Sequence, residues 1–230
     1  MDDDLDLRNF SYLCRLFPLP KVVMFPHAVL PLHVFEPRYR QMTEDALADD
    51  QLVTIVQLRT AAAGTSDTLG SPPIEKIACL GRIVRHEALP DGRFNFLLLG
   101  RKRVRLKREI PQGKLYRVAE VEILEDTPDD APDEPRRTEI ITLFRRVFET
   151  YGPLDPDLAL VLDASLPLTT LTDIVAHALG LPPHIKQSLL AETRVGRRAE
   201  CLLSILKQIT RTTPEGDAAG RLFPPPFSAN

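Results

Sequence analysis

Apolar and polar residues alternate along much of the first half of the chain. The runs at residues 52–58 and 77–84 are rich in β-branched and other apolar side chains, and residues 116–123 alternate with a period of two. A period of two places successive side chains on opposite faces of a strand, so these segments are predicted to be half-buried antiparallel strands. The pattern therefore predicts a small twisted barrel in the first half.

A hairpin is predicted between two of these strands. Asp91 and Gly92 form a turn signal, because glycine adopts the positive φ that a tight turn requires. Phe94, Phe96 and Leu98 then recur at every second position of the return strand. We expect these three side chains to lie on its buried face.

One helix interrupts the predicted strands. Pro37 fits the first position of a helix, where its missing N–H removes no intrahelical hydrogen bond. Tyr39, Met42, Ala46 and Leu47 follow at spacings that place them on one helical face. We predict an inserted helix with this apolar face.

The second half of the chain has a helical period. Ile140, Phe144, Val147 and Phe148 form an apolar stripe, and either Phe144 or Phe148 is expected to be largely buried. Further amphipathic helices are predicted at residues 155–162, 170–179, 183–190 and 195–209. Several helices of this kind predict a helical bundle.

Acidic residues and prolines are concentrated between the two halves, at residues 125–135. Such a segment has almost nothing to bury and is typical of a linker. The predicted organisation is a β-barrel domain at 1–126, a linker at 127–135, a helical bundle at 136–211 and a loosely ordered tail at 212–230. The predicted fold class is α+β: an antiparallel β barrel with one inserted helix, followed by an α-helical bundle.

Composition and charge exclude several classes of protein. With 29 Lys and Arg against 32 Asp and Glu, the formal net charge is -3, which disfavours nucleic-acid binding by bulk positive charge. No apolar run approaches the roughly 20 residues that cross a bilayer, and the acidic N-terminus lacks the basic start of a secretory signal. We therefore expect a soluble, cytoplasmic protein that binds no membrane. Three cysteines without C-x-x-C spacing fit neither a disulfide framework nor a zinc knuckle and are expected to be reduced.

The sequence contains no common catalytic or cofactor motif. Glycine-rich phosphate loops, G-x-S-x-G and H-E-x-x-H are missing, so no cofactor and no enzymatic activity are predicted. His27, His33 and Glu36 are candidate zinc ligands by residue type, but their proline-rich surroundings favour a structural role. Cys79 and His86 are a candidate nucleophile and base, but Cys79 lies among apolar residues, which favours a buried core thiol.

Residues 101–108 form the strongest local charge feature. Its alternating cations, which are expected on one face of a strand, are Arg101, Arg103, Arg105 and Lys107. Such a row of cations is able to follow a phosphate backbone. The alternative is cross-strand pairing with Glu120 and Glu122, which alternate on the next predicted strand. The sequence lacks clustered aromatic residues that stack on bases, and this favours the second interpretation.

Five segments of the chain carry a family resemblance. The longest is residues 16–40, LFPLPKVVMFPHAVLPLHVFEPRYR, and the others are residues 79–83, 100–106, 181–192 and 197–203. Together they closely resemble the N-terminal domain of the ATP-dependent Lon protease and the stand-alone proteins that carry only that domain. The resemblance extends from about residue 16 to residue 209.

The resemblance implies a PUA-like β barrel followed by a helical bundle, which Lon uses to recognise protein substrates. Lon continues into an ATPase module and a Ser-Lys protease, and we expect this chain to be a stand-alone, non-catalytic form without either. The leading hypothesis is a protein- or peptide-binding module for unfolded or extended protein segments, with no binding residue assigned. A separate protease or ATPase is a further candidate partner. The alternative is an RNA-binding PUA-like protein that uses the basic strand 101–108, although nucleic acid is not the expected partner.

Overall fold

The structure is a computed structural model that describes residues 10–59, 72–129, 133–151, 162 and 165–212. The chain divides into two compact units, with the boundary between Leu124 and Glu125. Most of the predicted helix at 155–162 and nearly all of the predicted tail at 212–230 lie outside the described residues.

Six strands and one helix make up the described part of the first unit. In chain order they are β1 (Leu13–Leu19), β2 (Val29–Val34), α1 (Pro37–Leu47), β3 (Leu52–Gln57), β4 (Ile77–Ala88), β5 (Phe94–Glu109) and β6 (Arg117–Leu124). The predicted strands and the inserted helix are present at these positions.

The strand ladders join five of these strands into a closed ring. Around the ring the order is β1, β3, β4, β5 and β6, and β6 pairs back with β1, whereas β2 pairs with β5 outside the ring. The prediction of a wholly antiparallel sheet is wrong, because β1 and β3 run parallel, with Leu16 opposite Thr54. A parallel pair needs a long crossover, and β2 and α1 together form it. The sheet is therefore mixed.

β5 is the longest strand and pairs with three others. Its first half lies between β2 and β4, and its second half reaches β6. The predicted hairpin before β5 is confirmed, since Gly92 has a φ of 78°. Phe94, Phe96 and Leu98 are buried, as their alternation predicts.

Helix α1 packs against β1 and β3. Tyr39, Met42 and Ala46, three of the four residues predicted on its apolar face, are buried. The ring of Tyr39 lies on that of Phe17 from β1, with 4.2 Å between centroids. This packing holds α1, the later part of the crossover, against the first of the two parallel strands.

Two glycines face each other where β5 leaves β2 and continues toward β6. Gly81 of β4 lies opposite Gly100 of β5. Gly100 donates its N–H to the carbonyl of Ala28 and accepts the N–H of His27, each at 2.8 Å. A Cβ atom on residue 100 would lie 2.1 Å from the carbonyl oxygen of Phe25. This close approach of two backbones requires glycine at position 100.

The second unit is helical in its described part. Its elements are α2 (Asp133–Tyr151), α3 (Leu168–Ala178), α4 (Pro183–Ala191) and α5 (Val195–Thr212). Helix α2 begins at Asp133, inside the segment predicted as a linker. In the same segment, the carbonyl of Thr127 accepts a backbone hydrogen bond from Val195. The predicted domain boundaries stay a prediction. No helix in the described part of the chain is long and apolar enough to cross a bilayer.

The predicted burial of the α2 stripe is confirmed. Phe144 and Phe148 are 0% and 5% exposed, and their ring centroids are 4.6 Å apart. Helix α2 packs against α3 and α5, which have apolar stripes of their own. The two rings therefore belong to the core of the second unit.

A buried arginine links several parts of the second unit. Arg198 of α5 has no exposed surface. Its guanidinium donates two hydrogen bonds to the carboxylate of Asp126, at 3.0 and 2.7 Å, and one to the carbonyl of Glu192 at 2.8 Å. A further hydrogen bond of 3.0 Å reaches the hydroxyl of Thr172 in α3. These contacts hold α3, the end of α4 and the segment before α2 against α5.

Lys186 of α4 is a largely buried amine near the end of α3. Its Nζ donates a hydrogen bond of 2.6 Å to the carbonyl of His177. Burial lowers the pKa of Lys186 from 10.5 to about 8. The folded protein therefore releases this proton at a lower pH than the unfolded chain does.

Replacement of Phe144 by Ala is expected to lower the free energy of unfolding by about 3–5 kcal/mol, because it leaves a cavity in the helical core. Urea melts followed by circular dichroism measure the change. Thr142, exposed on the same helix, provides the control, and Thr142→Ala is expected to stay within about 0.5 kcal/mol of the parent. Equal midpoints for Phe144→Ala and the parent would contradict the core assignment.

Replacement of Gly100 by Ala is expected to lower the free energy of unfolding by about 3 kcal/mol, because the added methyl group meets a backbone carbonyl that has no room to move. Gly81→Ala is expected to cost less, since its Cβ would lie 2.7 Å from Cγ of the Leu98 side chain, and a side chain shifts more readily than a backbone carbonyl. Thermal melts of both variants measure the order. A greater loss for Gly81→Ala than for Gly100→Ala would contradict this account.

The pKa of Lys186 predicts a pH-dependent stability. Between about pH 8 and 10.5 the unfolded chain binds the Lys186 proton and the folded protein does not, so this residue makes stability rise with pH. Lys186→Met removes the effect. The stability of this variant relative to the parent is therefore expected to fall by about 2–3 kcal/mol as pH rises through that window. Urea melts of both proteins at several pH values measure the difference, and a constant difference would contradict the prediction.

Candidate functional site

The outward surface of β2, β5 and β4 is the candidate binding site, and it is named the β2–β5–β4 face. The ladders place residues of the three strands opposite one another, so its side chains lie in rows across the strands. The rows are Val29–Leu99–Arg82, Pro31–Leu97–Arg85 and His33–Asn95–Glu87. The intervening side chains of β2 and β5 are buried, which leaves these three rows as the outer surface.

Apolar side chains fill the β2 and β5 positions of the first two rows. Val29 is 48% exposed, and Pro31, Leu97 and Leu99 are half-buried. Val84, the extra residue of a bulge in β4, is 52% exposed. A cleft of about 490 Å³ lies over Pro31 and Leu97. An exposed apolar surface bordered by polar residues is typical of a site that binds another macromolecule.

Hydrogen bonds link the side chains of the third row. Asn95 donates its amide N–H to Glu87 at 3.3 Å and lies 2.7 Å from Nδ1 of His33. Nε2 of His33 lies 3.3 Å from the guanidinium of Arg93. Both ring nitrogens of His33 therefore have a polar partner on this surface. The row therefore forms a fixed polar border of the face.

Two arginines border the apolar rows on the β4 side. Arg82 lies opposite Leu99 and Arg85 opposite Leu97. They share one face although they are three residues apart, because the bulge inserts an extra residue between them. In the described part of the chain, neither guanidinium has a hydrogen bond or an ion pair. Both are available to a ligand on the face.

The outer edge of β2 has no strand partner among the described residues. Pro31 has no N–H, and a proline is tolerated in a strand where its nitrogen faces an open edge. Val29 and His33 have the same phase along β2, so their backbone groups face this edge too. The edge therefore offers hydrogen-bond donors and acceptors to an extended segment.

A second cleft, of about 400 Å³, lies beside Leu115, which is 64% exposed. The arginines that line it are both paired. Arg38 lies 2.7 Å from Glu36, and Arg117 forms a salt bridge with Glu109. This cleft has less charge free for a ligand than the β2–β5–β4 face.

Polar contacts next to the second cleft have a structural role. Tyr116 donates its hydroxyl to Asp45 of α1 at 2.7 Å, and Lys114 lies 2.9 Å from the same carboxylate. Burial and then the Asp45 carboxylate raise the pKa of Tyr116 to about 12. Burial opposes ionisation of Asp45, but hydrogen bonds from Tyr116 and Lys114 hold its pKa below the usual range. Neither group exchanges a proton near neutral pH, so the pair joins α1 to the start of β6.

The basic residues predicted to share one strand face are separated by the structure. Arg101 is the extra residue of a bulge between β4 and β5 and is half-buried, whereas Arg103 is only 2% exposed and Arg105 is exposed. Arg105 donates a hydrogen bond of 3.0 Å to Glu122, which Lys107 also contacts. Hydrogen bonds from these two cations hold the pKa of Glu122 below the usual range. These are the cross-strand contacts that the sequence favoured over phosphate binding.

The structure does not bring the candidate metal ligands together. Within the described residues, no three His, Cys, Asp or Glu side chains converge on a metal position. His33 contacts Asn95, and Glu36 pairs with Arg38. His27 is exposed in a left-handed conformation, with a φ of 64°.

The candidate nucleophile and base are also apart. Cys79 is fully buried, as the sequence favoured, whereas His86 is exposed farther along β4. Burial raises the pKa of the other core thiol, Cys14, to about 12, which keeps it protonated. Cys201 is exposed, and none of the three cysteines forms a disulfide bond.

Sequence reasoning assigned no residue to the binding site and missed Leu97, Leu99 and Arg85. One signal was present. A strand that buries Phe94, Phe96 and Leu98 is expected to place polar residues at the alternate positions. Two of these positions hold leucine instead, which indicates an outer surface that is itself apolar.

Comparison with known proteins agrees with this fold. The family model described as the ATP-dependent protease La (LON) substrate-binding domain matches residues 14–208. The Lon protease of Desulfatibacillum aliphaticivorans is 30% identical over 195 residues, which cover 81% of this chain and 23% of the relative. The Lon protease of Xanthomonas oryzae is 28% identical over 198 residues, which cover 83% and 22%. The chain thus spans less than a quarter of the length of these curated relatives.

Two solved structures share the fold. A Lon N-terminal domain protein from Xanthomonas campestris has a TM-score of 0.61 at 25% identity, over 84% of this chain and 97% of that one. The N-terminal domain of the Lon protease from the Mycobacterium avium complex has a TM-score of 0.64 at 16% identity, over 87% and 98%.

The family match begins in β1 and ends in α5, so it includes both units. These comparisons support a substrate-binding role and do not favour the RNA-binding alternative. The chain belongs to the family of LON substrate-binding domains.

Proposed function

We propose that the protein is a non-catalytic module that binds unfolded or extended protein segments on the β2–β5–β4 face. The observation that carries this proposal is that two half-exposed apolar rows lie beside the open edge of β2 on the same surface. The family supports it, because the matched region is a substrate-binding domain.

An extended segment fits both features of this surface. Its backbone is able to pair with the groups that Val29 and His33 direct to the edge, whatever its sequence. A segment paired at the edge places its side chains beside Val29 and Pro31, whereas a segment that lies along the face places its apolar side chains on Leu97 and Leu99. A folded protein has most of its backbone groups paired internally and its apolar side chains buried. The face therefore favours unfolded over folded partners.

The titratable groups described above support a role without catalysis. Cys79 is buried apart from His86, and Tyr116 and Asp45 keep fixed protonation states near neutral pH. A nucleophile with a neighbouring base, as acyl transfer requires, is not formed by these candidates. Binding is the function that remains for the exposed face.

Several finer features belong to the same proposal. The closed ring of strand ladders supports a PUA-like barrel as the description of the first unit. A separate protease or ATPase is the proposed partner that acts on the bound segment, because the relatives named above are Lon proteases. A cytoplasmic location is proposed with it.

We expect the whole chain to bind an unfolded protein and not to bind the same protein in its folded form. The probe is fluorescently labelled α-lactalbumin, either native or reduced and carboxymethylated, and fluorescence anisotropy measures binding. Leu97→Asp is expected to weaken binding of the unfolded probe about tenfold, because it places a charge in the apolar row. Equal binding of both probes, or of neither, would contradict the proposal.

Leu115→Asp is the matched control, since it places the same charge on an exposed leucine outside the face. It is expected to leave the affinity unchanged. Circular dichroism melts verify that both variants are folded. Single-stranded RNA at about 50 mM salt tests the alternative ligand, because phosphate-driven binding is strongest at low salt. If the chain binds the RNA and does not bind unfolded protein, the proposal is wrong and the RNA-binding alternative takes its place.

A further inference from the structure

We infer that Arg82 and Arg85 make the β2–β5–β4 face selective for extended segments that carry two acidic side chains two residues apart, flanked by apolar ones. This inference rests on the proposed function and names the class of segment that the face prefers. It concerns a segment that lies along the face over Leu97 and Leu99, beside β4, and not one paired at the edge of β2.

The two arginines differ from most others in the first unit in having no carboxylate partner. Arginines there that do contact a carboxylate are Arg15, Arg38, Arg59, Arg93, Arg105, Arg108 and Arg117. Arg82 and Arg85 have none among the described residues. Glu87, the carboxylate on the same side of β4, accepts a hydrogen bond from Asn95 instead. The face therefore has positive charge that the fold does not neutralise.

The bulge in β4 sets the spacing of the two guanidinium groups. Their partners on β5, Leu99 and Leu97, are two residues apart, so Arg82 and Arg85 occupy neighbouring rows. Neighbouring rows of a strand are separated by roughly 6.5–7 Å. In an extended segment, side chains at i and i+2 are separated by the same distance and point to the same side. Two acidic residues at these positions match the two arginines.

The apolar rows increase the effect of these charges. Leu97 and Leu99 lie beside the two guanidinium groups, so a bound segment excludes water from one side of each contact. A carboxylate is able to accept two hydrogen bonds from one guanidinium, which a neutral amide side chain matches poorly. Lower exposure to water strengthens such a pair. A segment with acidic side chains next to apolar ones is therefore expected to bind this face more tightly than a segment with only one of the two kinds.

The experiment compares three peptides of about a dozen residues with the whole chain by fluorescence anisotropy. All have the same apolar flanking residues. The first has Asp at two positions two apart, the second has Asn at both positions, and the third has the two Asp residues adjacent. The first is expected to bind about tenfold more tightly than the second and several-fold more tightly than the third. Its advantage over the second is expected to decrease at high salt, because the contacts are charged.

Charge-neutral variants locate the selectivity. Arg85→Gln and Arg82→Gln are expected to bring the affinity ratio of the Asp and Asn peptides close to one while binding of the Asn peptide is unchanged. Arg108→Gln is the control, because Arg108 is exposed on another part of β5 and pairs with Glu120. It is expected to leave the ratio as it is in the parent. A melting curve for each variant shows that it is folded.

The outcomes separate the inference from the proposed function. Equal binding of the Asp and Asn peptides overturns the inference and leaves the proposed function in place. Equal binding of the two Asp peptides overturns the claim that the acidic side chains must be two residues apart. If no peptide and no unfolded protein binds the parent, both the inference and the proposed function are overturned. A ratio that stays high in Arg82→Gln and Arg85→Gln, or one that falls in Arg108→Gln, shows that other groups select the charge and overturns the inference.

Discussion

The close approach of two backbones at Gly100 is the constraint on which the first unit depends. β5 pairs with β2 along its first half and with β6 along its second, and the change of partner occurs around this residue. The carbonyl of Phe25 comes so near that position 100 has no room for a side chain. Hydrogen bonds that Gly100 donates to Ala28 and accepts from His27 then set the register of β2. One glycine thus allows a single strand to belong both to the ring and to the sheet outside it.

The binding face follows from this arrangement. Because β2 is joined to the ring only through β5, its outer edge has no strand partner among the described residues. The inward residues Phe94, Phe96 and Leu98 hold the three strands to the core, and the outward residues lie outside that core. A surface with this freedom is able to carry apolar and charged side chains suited to a ligand. Stability and recognition are divided between the two sides of one sheet.

Features that depend on local sequence were predictable, whereas those that depend on distant neighbours were not. The stripe around Phe144 and the turn at Gly92 were found because periodicity and turn chemistry act over a few residues. The parallel pairing of β1 with β3 was missed, since alternation reports which face is buried and not which strand is adjacent. The face was missed for a similar reason: Leu97 and Leu99 are visible in the sequence, but the arginines beside them are reached only through the β4 register.

Arginine in this protein shows how burial decides whether a charge serves the fold or a ligand. A buried guanidinium without partners would cost several kcal/mol, so Arg198, which occupies the apolar seam of α5, is bound by Asp126, Thr172 and a backbone carbonyl. Its partner Asp126 is 72 residues away in sequence, which explains why a pattern of apolar spacing did not reveal it. Arg85 is exposed, so water solvates it and the fold needs no partner for it. A charge without a partner in the fold is free to be neutralised by a bound segment. The bulge aligns half-buried Arg82 with exposed Arg85 and places both charges beside apolar surface, where neutralisation has the greatest effect.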